Sequence, residues 1–191
     1  MNKILWFINH IINLIFPNVC GICDKICKED LCKKCEIKLR CIVKNKIDKY
    51  IDKSFEKHIY LFKYEGIIKE LLINLKFNEK PYIYKWFVNF LIKNKKICRF
   101  LKSYDIIIPV PIHNKRKIVR GYNQSALIAK GLAKINNIIY LDDVLFKRIN
   151  NKPQSTKNKE ERQKNVIGVY YTKNEYKILN LLKVLLLFLH I

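Results

Sequence analysis

The stretch that most limits how this chain can fold is DIIIPVPIHNKRKIVRGYNQSALIAKGLAK, residues 105–134. Asp105 to Val110 runs apolar without polar alternation, the pattern of a parallel strand covered on both faces. A basic loop follows, then a helix from Asn123 to about Ile135. In open parallel sheets, ligands sit beyond the carboxyl ends of the strands. A helix N-terminus at that place offers N–H groups and the positive end of a dipole, both suited to an anion. Gly121 permits close backbone approach, and Lys115, Arg116 and Arg120 add charge. An arginine can hold a phosphate through two bonds. With Asn123 and Gln124 these residues form a candidate anion site; the alternative is a basic solvated loop capped by Asn123.

The other segments alternate in type. Residues 3–15 have helical apolar spacing and end at Pro17, giving an amphipathic N-terminal helix within residues 1–16. Residues 42–56 read as a polar connector, and HIYLFKY (58–64) as a strand. Glu65 to Phe77 reads as a helix, and Pro81 opens another over about 82–94. Residues 138–146 hold a further strand, 147–165 a polar loop with a short helix around 158–164, and VIGVYY (166–171) a strand. KVLLLFL (183–189) reads as a last buried strand. This order predicts an α/β domain with a mostly parallel sheet.

Ahead of that domain, Cys20-x2-Cys23 and Cys32-x2-Cys35 stand eight residues apart. Two such pairs close a tetrahedral thiolate site, and four ligands with no open position make a structural zinc rather than a catalytic one. Residues 17–41 are too few to hold a core without such a staple. Ordinary free thiols are the alternative; Cys27 and Cys41 are spare, and Cys98 reads as a small core residue. No small-residue cleavage site follows the first apolar run, so a reducing cytoplasm is the expected compartment. No segment reads as a transmembrane span, and the apolar tail carries Lys183.

The net charge of +22 favours polyanions such as nucleic acid or phosphorylated ligands. Only six of the 38 basic residues are Arg, and Lys, Ile and Asn together are what an A/T-rich coding sequence supplies. No Arg stripe with interleaved aromatics runs along the sequence, as a dedicated nucleic-acid binder more often shows.

The order of motifs adds to this reading. A four-Cys knot is followed by FKYEGIIKELLINLKF (62–77), PVPIHNKRKIVRGYNQS, LDDVLFKRINNKPQS and KEERQKNVIGVY. From Cys20 to Tyr171 this resembles the competence protein F (ComF-like) family of phosphoribosyltransferase-type proteins. The resemblance implies a zinc ribbon followed by a type I phosphoribosyltransferase-like domain, here residues 57–191. It implies association with competence and DNA uptake, and magnesium with phosphoribosyl diphosphate as ligands of the intact family. Arg120, Gly121, Asn123 and Gln124 match the family's run at the pyrophosphate-side loop, which includes Lys115 and Arg116. Pro153, Gln154, Arg162 and Asn165 match a second segment, read as a flap near the ligand. Lys76 and Phe77 match an LKF element read as packing, and His113 reads as a loop residue rather than a general acid or base.

One departure tempers the expectation. The family's ribose-phosphate loop has two acids, two variable residues and Thr-Thr-Gly, and no such run follows KVLLLF. Asp142-Asp143 is not that motif, because neither Thr nor Gly follows it. The parallel sheet is therefore expected to be incomplete at its C-terminal side, the chain a truncated copy without transferase activity, and no residue is assigned a catalytic role. The alternative function is a non-catalytic zinc-ribbon accessory that binds single-stranded DNA or a DNA-uptake helicase; a product with no independent function is the third reading.

Overall fold

The computed structural model describes Phe7 and residues 17–44, 46–49, 57–151, 168–173 and 183–187. The expected helices over 3–15 and 158–164 lie outside the described residues. Helices and strands are mixed, with a parallel three-stranded sheet and a cluster of four cysteines compatible with a zinc ribbon. The chain forms two compact units, Met1–Asn74 and Leu75–Ile191.

The first unit holds the cysteine knot, helix α1 (Lys33–Cys41), strands β1 (Lys46–Lys49) and β2 (Lys57–Tyr60), and most of α2 (Gly66–Phe77). β1 and β2 pair antiparallel, Ile47 opposite Ile59. The segment read as a polar connector therefore contains a strand. KIDK carries little strand signal of its own, and its conformation is set by its partner. In α2, Ile68, Leu71, Leu72 and Leu75 are buried at the i, i+3, i+4, i+7 spacing of one helical face.

The second unit begins in the last turn of α2 and continues through α3 (Ile83–Lys93) and α4 (Lys95–Leu101). α3 buries Ile83, Trp86, Phe87, Phe90 and Leu91 along one stripe. Asn94 ends α3 and caps α4, its side-chain oxygen accepting from the N–H groups of Lys96 and Ile97. Such a cap satisfies helix-end donors and is worth about 1 kcal/mol.

β3 (Ile106–Pro109) is buried at all four positions, as its lack of alternation predicts. It lies between β4 (Ile139–Tyr140) and β7 (Val184–Leu187), parallel to both. Ile106 and Ile108 point to one face of the sheet, where they meet Val144, Leu141, Leu145 and Val184. Ile107, on the opposite face, is fully buried. Each such buried Ile contributes about 1.5–3 kcal/mol.

After β3 come α5 (Asn114–Arg120) and α6 (Gln124–Asn136). α6 buries Gln124, Ser125, Ile128, Ala129, Leu132 and Ala133, and packs on both β3 and α3. Where the sequence predicts a basic loop, α5 is a two-turn helix. It buries none of its residues, so hydrophobic periodicity could not reveal it. The region 138–146 contains β4 and the start of a second strand, β5 (Leu145–Lys147). β5 pairs antiparallel with β6 (Tyr170–Thr172), a two-stranded sheet apart from the parallel one.

Candidate metal centre and anion site

The knot is a tight hairpin feeding a helix. Val19 and Ile26 form an antiparallel bridge. Within it Cys20 N–H donates to the Lys25 carbonyl at 2.8 Å, and Asp24 N–H to the Cys20 carbonyl at 3.2 Å. Asp24 takes the left-handed conformation, φ 56°, which closes the turn that places Cys23 beside Cys20. Cys32 is the N-cap of α1 and Cys35 lies in its first turn. The second pair is thus presented by a helix N-terminus, where negative charge is favoured.

The ligand atoms of Cys20, Cys23, Cys32 and Cys35 all lie within 4.8 Å of one another. The Sγ atoms of Cys23 and Cys32 are 3.7 Å apart. A tetrahedron with metal–sulfur bonds of about 2.3 Å has edges of about 3.8 Å, so this spacing suits an ion such as zinc. The electrostatics agree. Burial pushes the Cys20 thiol up, but bonds from the backbone of Cys23, Cys32 and Ile22 outweigh it and bring Cys20 down to about 7. Cys35 is pushed well above the usual thiol range by burial and by bonding to Cys32 and Cys23. A central cation favours the thiolate form of every ligand it binds.

Burial raises the Cys27 thiol, and the charges of Cys20, Cys32 and Cys23 add to that. Its Sγ lies 3.0 Å from the Glu29 carbonyl oxygen, to which it donates. Cys41 is exposed at the end of α1, and Cys98 on α4 bonds to the Ile92 carbonyl at 2.9 Å.

The second site lies in the other unit, past the carboxyl end of β3. His113 caps α5, its Nδ1 accepting from Lys115 N–H at 3.2 Å. That bond gives His113 a structural task. Gly121 ends α5 with φ 81°, a left-handed conformation that penalises a side chain, and open space surrounds the place of its absent Cβ. Asn123 then caps α6. Its Oδ1 accepts from Ser125 N–H at 3.0 Å, and its Nδ2 donates to the Val110 carbonyl at 3.1 Å. One side chain thereby fixes the start of α6 to the end of the sheet strand.

The cations are held in different ways. Lys115 and Lys117 are exposed. Arg116 donates from Nε to Asn150 Oδ1 at 3.0 Å and from Nη2 to the Asn151 carbonyl. Arg120 is partly buried, bonded to Gln124 Oε1, with its guanidinium carbon 5.0 Å from the centre of the Phe77 ring. Burial pulls Arg120 below its ordinary value, and the charge of Arg116 adds to that. Tyr122 donates from its hydroxyl to the Leu75 carbonyl at 2.6 Å, tying the loop to the end of α2. Among the predicted anion residues, Arg116, Arg120, Asn123 and Gln124 each make a positioned contact, while Lys115 extends outward. Gln154, Arg162 and Asn165 lie outside the described residues.

Two features were missed in the sequence. Lys76, read as packing, is only 7% exposed, and burial followed by the charge of Arg120 brings it down to about 7. Its place four residues after Leu72, on the buried face of α2, was the available signal. The other feature is a cation–aromatic ladder on the β5–β6 pair. Phe146 and Tyr171 stand opposite each other and stack, with ring centres 5.4 Å apart. Arg148 lies over Tyr171 at 5.3 Å and Lys173 over Phe146 at 5.3 Å. Antiparallel pairing assembles this face from two distant segments, so no stripe runs along either one.

Among the described residues, no helix is long and apolar enough to cross a membrane. The chain is similar to competence protein F of Haemophilus influenzae, 27% identical over 130 residues that cover 64% of this chain. The match covers 56% of that relative, so the chain spans little more than half of its length. This bears out the ComF-like resemblance read in the sequence. No family model matches the chain. No solved structure matches it either.

Proposed function

We propose that the chain is a competence-associated, phosphoribosyltransferase-type protein of the cytoplasm. Its segment from His113 to Gln124, α5 and the turn into α6, binds the diphosphate end of a phosphoribosyl diphosphate ligand. The observation that carries this reading is Arg120, a partly buried guanidinium anchored by Gln124 at the mouth of a helix whose cap is fixed to the end of β3. Such an arrangement holds a charge in place before an anion arrives, which reduces the cost of ordering on binding. Magnesium accompanies the diphosphate in this reading. The four-cysteine cluster holds zinc as a structural ion. The role ascribed to these 191 residues is binding. Calorimetric titration of the zinc-loaded chain with phosphoribosyl diphosphate, with and without magnesium, tests it. Arg120→Ala should weaken binding at least tenfold, about 1.4 kcal/mol. Unchanged affinity in that variant would overturn the reading.

A second reading rests on the ladder of Arg148, Tyr171, Phe146 and Lys173. Tyr171 is exposed and Phe146 half-buried, and accessible rings flanked by cations are what single-stranded nucleic acid uses, its bases stacking while phosphates meet the charges. Here the chain serves DNA uptake as an accessory that holds single-stranded DNA. Tyr171→Ala should then weaken binding of an oligothymidylate, and affinity should fall steeply with added salt. Binding that ignores both the variant and the salt excludes this surface.

A further inference from the structure

The four cluster thiols differ in how open they are to solvent. Cys20 is fully buried and Cys35 only 7% exposed, whereas Cys23 is exposed and Cys32 half-buried. The two accessible sulfurs therefore come from different pairs, one from the hairpin and one from the cap of α1. They are also adjacent, with Sγ atoms 3.7 Å apart. The backbone prepares that approach independently of the thiols. Gly21 N–H donates to the Asp30 carbonyl at 2.9 Å, which joins the two arms just ahead of Cys23 on one side and Cys32 on the other.

This bears on how the cluster meets an oxidant. With zinc bound all four sulfurs are thiolates, so acidity no longer separates them and access decides which reacts. The sequence alone suggests a different outcome, because a Cys-x2-Cys pair can close on itself as a redox disulfide. Here each such pair has one member shut away from solvent. Cys27, the other thiol of the segment, is turned to its own loop, where its Sγ donates to the Glu29 carbonyl at 3.0 Å.

We propose that the cluster is a peroxide-sensitive switch in which Cys23 and Cys32 form a disulfide and the zinc is released. This rests on the reading of the cluster as a zinc site. The Cys23 thiolate attacks one oxygen of hydrogen peroxide, the O–O bond breaks, and the departing hydroxide takes a proton from solvent to become water. Cys23 is left as a sulfenic acid. The Cys32 thiolate then attacks the Cys23 sulfur. The S–S bond forms, the S–O bond breaks, and the second hydroxide is protonated to water. Two thiolates lose two electrons in all, and one peroxide becomes two waters. Cys20 and Cys35 remain, too few to close a tetrahedral site. The cross-link joins the same two arms that the metal held, so the segment 17–41 exchanges one staple for another.

The test uses the zinc-loaded full chain and limiting hydrogen peroxide. Released zinc is read with a chromogenic chelator, and the thiols still free are alkylated before tryptic digestion and mass spectrometry. Cleavage after Lys25, Lys28 and Lys33 leaves Cys20 and Cys23 in one peptide and separates Cys27, Cys32 and Cys35 from it and from one another. Fragmentation then tells Cys20 from Cys23. The expected first product is a Cys23–Cys32 cross-link with Cys20 and Cys35 alkylated, zinc released in step, and zinc taken up again after reduction with dithiothreitol. Cys27→Ser should give the same cross-link at the same rate. A first product within either Cys-x2-Cys pair, or one that includes Cys27, would overturn the proposal. A Cys23–Cys32 cross-link with zinc retained would overturn the release step. Absence of zinc from the chain purified under reducing conditions would overturn the zinc reading and the release with it, while the peptide map of that zinc-free chain still decides the pairing.

Discussion

Asn74 on α2 donates from Nδ2 to the carbonyl oxygen of Gly21, a buried bond of 2.7 Å that joins residues 53 apart in sequence. Gly21 follows Cys20 directly, so this bond fixes the backbone of the first cysteine pair to a helix. Asn74→Ala would leave the Gly21 carbonyl without that donor. The expected cost is about 1–3 kcal/mol of stability. Zinc affinity should fall as well, because the first pair would lose its support. Chelator competition and urea unfolding measure the two effects.

The five thiols near the metal centre should separate cleanly. Cys35→Ser removes a ligand and should abolish tight zinc binding, whereas Cys27→Ser should keep one zinc per chain. Elemental analysis of the purified variants decides it. Chelation of the wild type should loosen the 17–41 segment, since binding energy there is folding energy.

Gly131 has no room for a side chain. A Cβ there would come 2.7 Å from Val88 Cγ2 on α3. Gly131→Ala should therefore destabilise by about 1–3 kcal/mol, despite the better helix propensity of alanine. Pairing it with Val88→Ala should recover part of that loss, as a double-mutant cycle in urea would show.

Lys76 makes stability depend on pH. Burial and the Arg120 charge lower it from 10.5 to about 7. Between those values the unfolded chain holds a proton that the folded chain lacks, so stability should rise with pH by at most about 1.4 kcal/mol per unit. Below about pH 7 the lysine is charged in both states and its burial cost is fully present. Lys76→Met should be more stable than wild type near neutrality. That advantage should shrink as pH approaches the ordinary lysine value, read from unfolding curves at constant salt.

What the sequence revealed follows from which signals are local. The cysteine spacing, the unalternating Ile106–Pro109 run, and the apolar stripes of α2, α3 and α6 are each contained in one short segment. α5 escaped because a helix that buries none of its residues has no apolar stripe to read. β1 escaped because KIDK is held by pairing rather than propensity. The Phe146–Tyr171 stack and the placing of Arg120 over Phe77 depend on chain segments that meet only after folding.

The parallel sheet has a consequence for the order of events during synthesis. β3 occupies the centre, and its partner on one side is β7, whose register sets Ile106 opposite Val184. While the ribosome is still making the intervening residues, one edge of the most buried strand has no β7 to pair with. Its apolar side chains and open N–H and C=O groups are then exposed to other nascent chains. The sheet can close only after residue 187 has emerged, and such late, distant pairing slows folding. Yield of folded protein should therefore depend on chaperone supply and on growth temperature more than native stability alone would suggest.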